Sequence, residues 1–189
     1  MSSDALIIVD VQKDFLPGGA LGVAGGDAVV PVLNRCIAAC ERAGRAIFAT
    51  RDWHPVNHCS FRARGGPWPA HCVAGSEGAE FAAELALPRS VEVVSKATSP
   101  DADAYSGFEG TDLAARLRKR GCKRLLIGGL ATDYCVRATA LDALREGFDV
   151  VVLIDAVRPV DARPGDGERA LAQLAARGAT LAPAREACP

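Results

Sequence analysis

Five short, predominantly apolar runs, residues 5–9, 45–50, 91–95, 124–130 and 150–154, recur along the chain with helix-patterned stretches between them. This alternation limits the fold more than any other feature. A run that is hydrophobic at every position, and often β-branched, suits a strand covered on both faces. A weaker sixth run spans 180–184. Between the first two, Val29, Leu33, Cys36, Ile37 and Cys40 recur at helical spacing and Gly44 stands where a C-cap belongs. A second helix is expected over 112–120, with Thr111 as N-cap and Gly121 beyond its end; two more are expected over 134–146 and 168–177, each followed by glycine. Strands alternating with helices pair in parallel through right-handed crossovers. The expected architecture is a three-layer α/β/α sandwich, Rossmann-like, around a mostly parallel, roughly six-stranded sheet.

A chain of 189 residues fits one domain, 1–189, that buries about 70% of its unfolded surface without staples. No repeat, low-complexity segment or domain boundary interrupts it. The net charge is −1 with both signs interspersed, which indicates neither a nucleic-acid patch nor an acidic tail and leaves small molecules as the expected partners. Seven cysteines, an odd number without a CxxC pair, point to a reducing, cytoplasmic setting. The opening residues 1–4 carry no basic segment, and the run 5–9 is too short for a signal or membrane span. Residues 52–90 break the alternation. They are rich in proline and glycine and hold all three histidines and both tryptophans, as expected of a functional excursion.

Ligands of an open parallel sheet bind outside the carboxyl ends of its strands. Polar residues fall at four such ends: Asp10 after the first run, Asp52 after the second, Lys96 after the third, and the 128–135 segment leading from the fourth into a helix. Cys135 falls in that helix's first turn, where unpaired N–H groups, the dipole and a nearby Lys96 favour a thiolate. Asp10 supplies a base for the thiol proton. A free cysteine is most often a small core residue, an aspartate a cap and a lysine a solvated side chain; only their convergence makes these three a candidate nucleophile, base and cation. Cys36, Cys40, Cys122 and Cys188 are read as structural, and Cys59 and Cys72 as unpromising ligands.

The histidines lie at 54, 58 and 71, and Asp52 precedes the first by two positions. Asp-x-His followed by a distant histidine is the donor set of a facial metal site. The alternatives are an accidental cluster on a surface loop or a structural zinc site in a binding module.

Five segments then identify a resemblance: residues 8–21 (IVDVQKDFLPGGAL), 52–55 (DWHP), 68–72 (WPAHC), 103–108 (DAYSGF) and 129–136 (GLATDYCV). They resemble those of nicotinamidases and pyrazinamidases of the isochorismatase-like hydrolase superfamily, in order and from residue 6 to about residue 181. The resemblance implies a catalytic triad of Asp10, Lys96 and Cys135. It implies one divalent metal, zinc with iron or manganese as alternatives, on Asp52, His54 and His71, with water completing the shell. It also implies a cis peptide at Leu130–Ala131, with N–H groups of Ala131 and Cys135 as oxyanion hole, and nicotinamide as substrate. Ser60, and after it His58, are the candidates for a further metal contact. Phe15, Trp68, Tyr105 and Tyr134 are the expected pocket walls; Tyr134 stands where some relatives carry histidine. A metal-free amidase of the same superfamily, acting on ureido or carbamoyl substrates, is the alternative. Oligomeric state is left open between monomer and homo-oligomer.

Overall fold

The computed structural model describes residues 4–188. Six strands, β1 (Asp4–Val9), β2 (Ala46–Asp52), β3 (Glu92–Lys96), β4 (Arg124–Leu130), β5 (Asp149–Arg158) and β6 (Thr180–Ala182), form one sheet in the order β3-β2-β1-β4-β5-β6. Every pairing is parallel, so the sheet is wholly rather than mostly parallel. The helices are α1 (Val29–Arg42), α2 (Leu113–Lys119), α3 (Arg137–Arg145), α4 (Asp166–Ala176) and the short α5 (Ala184–Ala187). None is long and apolar enough to cross a membrane.

The period-two geometry of a strand divides the core. Leu6 and Ile8 of β1 face a cluster containing Leu33 and Ile37 of α1 and Ala184 of α5. Ala5, Ile7 and Val9 face the opposite layer, with Leu113 and Leu117 of α2, Ala140 of α3 and Leu174 of α4. Both faces of β1 are dry, and the six residues of the strand are all buried. The chain winds outward from β1 toward β3, returns, and winds the other way from β4. The strand order therefore reverses between β1 and β4, the place where open α/β sheets bind ligands. Gly129 permits the close contact there: its φ is +128°, and a Cβ would come within 2.1 Å of the Val9 carbonyl oxygen.

Several elements differ from expectation. β5 runs on to Arg158, well past residue 154, with an irregular register opposite β4 between Ile127 and Gly129. Its polar Asp155 does not end the strand because the carboxylate accepts a hydrogen bond from Ala184 N at 2.7 Å, at the start of α5. The helix expected from 134 begins at Arg137, because a π-helical turn, Thr132–Val136, precedes it. α2 starts one residue late, though Thr111 Oγ1 still accepts from Leu113 N at 3.3 Å. Finally, α5 follows the sixth strand where no helix was expected; residue 189 lies outside the described residues.

Candidate active site and metal-binding cluster

Strand register brings the first two charged groups together. Asp52 and Lys96 are the last residues of β2 and β3 and are Cα partners in the parallel pairing, so their side chains leave the sheet side by side. Asp10 follows β1 with φ +49°, a left-handed turn that aspartate tolerates. The Lys96 ammonium lies 2.9 Å from Asp10 Oδ2, contacts Asp52 Oδ1, donates to the Ala104 carbonyl at 3.1 Å and reaches Cys135 Sγ at 3.6 Å. Asp10 Oδ1 accepts from the Thr50 hydroxyl at 2.7 Å. All of these groups are buried.

One ammonium thus serves two carboxylates and a thiol in a dry site. Burial disfavours the ammonium itself, but the two aspartates outweigh it and hold the Lys96 proton well above its ordinary value. Burial also works against the Asp52 charge, yet Lys96 prevails and keeps that carboxyl far below the usual range. Asp10 goes the other way: burial pushes it up, Lys96 opposes, and the Asp52 charge adds to the push. Burial likewise drives the Cys135 thiol well up despite Lys96. The sequence argument expected a thiolate favoured by a helix terminus. Burial reverses that balance and favours the neutral thiol of Cys135 beside a carboxyl of raised pKa.

Cys135 lies in the π-helical turn, which opens on Ala131; the Ala131 carbonyl accepts from both Tyr134 N and Val136 N at 3.1 Å. The Leu130–Ala131 peptide is cis.

The metal-type donors converge on the other side of Asp52. One ligand atom each from Asp52, His54 and His71 lies within 4.8 Å of the others, and all three residues are buried. His54 Nδ1 faces the Ala97 carbonyl at 3.3 Å and His71 Nδ1 the Pro69 carbonyl at 2.8 Å. A carbonyl only accepts, so each Nδ1 carries the hydrogen and each Nε2 keeps its lone pair, as metal-ligating histidines require. Burial lowers the His71 pKa, which favours the same neutral ring. These residues fit a divalent ion. His58 does not join the group: its Nε2 donates to the Ala102 carbonyl at 3.2 Å and its Nδ1 accepts from Ser60 Oγ at 2.7 Å, so both nitrogens are committed. Its ring stacks on His54 at 4.2 Å. Ser60, buried, keeps its oxygen lone pairs while donating to His58.

A small pocket joins the two halves, lined by Cys135 and Ala131 together with Asp52 and His71. The four expected aromatic residues, Phe15, Trp68, Tyr105 and Tyr134, all line it. Trp68 Nε1 donates to Tyr105 Oη at 3.0 Å, and the Trp68 and Tyr134 rings meet edge to face at 5.4 Å.

A family model for the isochorismatase domain matches residues 4–186. The chain belongs to the isochorismatase family. Within this family it is 41% identical over 202 residues to the nicotinamidase of Escherichia coli (strain K12), covering 96% of this chain and 95% of that one. It superposes with TM-score 0.93 on the pyrazinamidase of Pyrococcus horikoshii in complex with zinc, at 55% identity over 96% of this chain and 99% of that one. It also superposes with TM-score 0.88 on an L. infantum protein in complex with nicotinate, at 41% identity over 98% of this chain and 96% of that one.

This isochorismatase-family site also depends on residues that sequence reasoning passed over. Gln12 Nε2 donates to the Asp52 carbonyl at 2.8 Å and the Ala79 carbonyl at 2.9 Å, while its Oε1 accepts from Asp52 N at 2.8 Å. Asp14 Oδ2 accepts from Cys72 N at 2.7 Å and so holds the loop that bears His71. Asp133 accepts from Val160 N and Asp161 N, pinning the segment after β5 against the π-helical turn. Gln12 and Asp14 stand inside the 8–21 segment, but nothing in their local sequence sets them apart from surface polar residues.

Proposed function

We propose that the protein hydrolyses nicotinamide to nicotinic acid and ammonia through a thioester on Cys135, as a step of NAD salvage, and accepts the ring analogue pyrazinamide. The observation that carries this reading is one aromatic-walled pocket in which a buried thiol with its carboxyl and ammonium faces a three-donor metal cluster. The nicotinamidase and nicotinate-bound relatives support the substrate. The donors argue against a metal-free ureido or carbamoyl amidase. Asp52, His54 and His71 would hold the ion, with Ser60 as a supporting contact; the zinc complex of the P. horikoshii relative favours zinc over iron or manganese. When bound, the ion supplies a Lewis-acidic anchor for the pyridine nitrogen.

Phe15 and Trp68 hold the flat ring so that the carboxamide faces Cys135. Asp10, whose raised pKa matches it to a neutral thiol, takes the Cys135 proton as sulfur attacks the amide carbon. The N–H groups of Ala131 and Cys135 receive the developing oxyanion, each donor contributing about 3–4 kcal/mol in comparable sites. Asp10 returns the proton to nitrogen, ammonia leaves, and the same carboxylate activates the water that hydrolyses the thioester. Lys96 balances the negative charge that moves between Asp10 and sulfur. The whole chain acts as one cytoplasmic domain on a small-molecule substrate, with 52–90 as its metal- and substrate-binding excursion.

Ammonia release from nicotinamide by the purified protein, beside its Cys135→Ala variant, tests the reading. Release by the parent alone, with zinc found by elemental analysis, is the expected result. A silent parent that carries its metal would overturn nicotinamide as substrate.

A further inference from the structure

Three cysteines that the proposed reaction does not use meet at the junction of α1 and the chain's C-terminal end. Cys36 and Cys40 lie one turn apart on the buried face of α1, and Cys188, half-buried, follows α5 and packs against the same cluster. The Cys188 thiol lies close enough to both to shift them. Cys36 and Cys188 line a groove that opens to solvent among Arg35, Arg42 and Arg185. Beneath it Arg45 lies beside Cys40, and its Nε and Nη1 are buried with no oxygen acceptor among the described residues. Its Nη2 reaches Asp4 Oδ2 only at 3.5 Å.

We propose that Cys36, Cys40 and Cys188 form a second thiol centre, a modification site at which hydrogen peroxide joins Cys36 to Cys188 as a disulfide. The trio is asymmetric. Contact with Cys188 holds the Cys36 thiol below its ordinary value, whereas the Cys188 contact and burial push Cys40 far up. Cys188 itself is pushed up to about 12, first by its contact with Cys36. Cys36 and Cys188 line the solvent-open groove and Cys40 does not, and of the three it is the Cys36 thiol that is held low, so Cys36 is the nucleophile. Its sulfur attacks one peroxide oxygen, the O–O bond breaks, and the departing hydroxide takes up the proton that Cys36 had released, giving water and a Cys36 sulfenic acid. The Cys188 sulfur then attacks the Cys36 sulfur, the S–OH bond breaks, and hydroxide leaves as water with the Cys188 proton. Two thiols lose two electrons, one peroxide becomes two waters, and Cys40 remains a thiol. The new bond ties α5 to α1.

Peroxide titration of the holoenzyme, followed by non-reducing peptide mass mapping, tests the site. Expected are an intact-mass loss of two hydrogens, a linked pair of peptides containing Cys36 and Cys188, and a Tm rise that dithiothreitol reverses. The link should persist in Cys40→Ser and vanish in Cys188→Ser, whose unoxidised amidase activity should equal the parent's. Cys36→Ala supplies the same control should Cys188→Ser fold poorly. Three results would each overturn the proposal: both thiols staying alkylatable after peroxide, a Cys40–Cys188 link in the parent, or oxidation confined to Cys135.

Discussion

Asp4 opens β1 and Asp10 follows its last residue; both are buried and both sit beside cations. At the Asp4 end, Arg124 grips the two carboxylate oxygens from Nε and Nη2 at 3.0 and 2.7 Å, with Arg45 in further contact. The Arg124 side chain is 46% exposed, so water screens the pair. At the Asp10 end, no part of the Lys96 or Asp10 side chain reaches solvent, and one ammonium is divided among Asp10, Asp52 and Cys135. Asp10 Oδ2 has the ammonium close by but no hydrogen bond of good geometry. A fork matched to one carboxylate makes a structural joint. An under-supplied cluster leaves one carboxyl with a raised pKa, which is the condition a general base needs.

The comparison breaks most visibly at Lys96. Lys96→Met strands two buried carboxylates, and removing one partner of a buried pair costs about 3–5 kcal/mol. Urea unfolding should show that loss, and amide hydrolysis should fall to background. Lys96→Arg should stay nearly inactive, because a planar fork cannot replace a point charge that contacts four groups. A Lys96→Arg variant with most of the parent's turnover would remove Lys96 from the chemistry.

Asp10→Asn should separate activity from stability. Loss of a general base costs about 10²–10⁴-fold in rate. Stability should move oppositely: Asp10 is raised in the folded state, so its proton stabilises the fold below the ordinary aspartate range, and that contribution fades as pH climbs through the raised value. Asparagine has no such proton. The stability gap should therefore widen in favour of Asp10→Asn from about pH 4 upward and then level off; a gap that narrows with rising pH would contradict a raised Asp10.

At the other end, Arg124→Ala should cost only about 1 kcal/mol, since the guanidinium is half solvated, and should leave kcat unchanged. A cost equal to that of Lys96→Met would erase the distinction between the two ends.

How far these ends could be read beforehand follows from what burial does to sequence. β4 matches the expected 124–130 because every residue but the first is buried and the run is uninterrupted. β5 was cut short at 154 because Asp155 looks like a terminus until its bond to Ala184, far along the chain, is known. Asp10, Asp52 and Lys96 were legible as polar residues ending apolar runs. Gln12 was not, because an amide that clamps Asp52 and Ala79 looks like any surface glutamine. The π-helical turn has no residue signature, and the protonation of Cys135 depends on a burial that local spacing cannot report. The ambiguity between His58 and Ser60 was likewise a matter of distant partners: His58 Nε2 is taken by Ala102.

The smallest expected effect tests where backbone strain is kept. The non-glycine residues with positive φ, Asp10 at +49°, Cys72 at +45°, Ala97 at +50° and Asp161 at +52°, are Asp10 itself or follow His71, Lys96 and the pocket residue Val160. Among the described residues, none stands at the Asp4 end. Such a conformation costs an ordinary residue about 1–3 kcal/mol and persists where the surroundings enforce it. Ala97 is enforced by its neighbour Lys96 and by the His54 Nδ1 bond to its carbonyl at 3.3 Å. Ala97→Gly relieves the Cβ clash but gains unfolded-state entropy worth about 0.4–1 kcal/mol, so with strain at the lower end of that range the net change should be a stabilisation of a few tenths of a kcal/mol. The freer backbone also loosens the aim of His54 and Lys96, so kcat should fall slightly while the urea midpoint rises at unchanged m-value. If the midpoint drops instead, the left-handed turn at Ala97 carries no strain, and the two ends of β1 differ in charge alone.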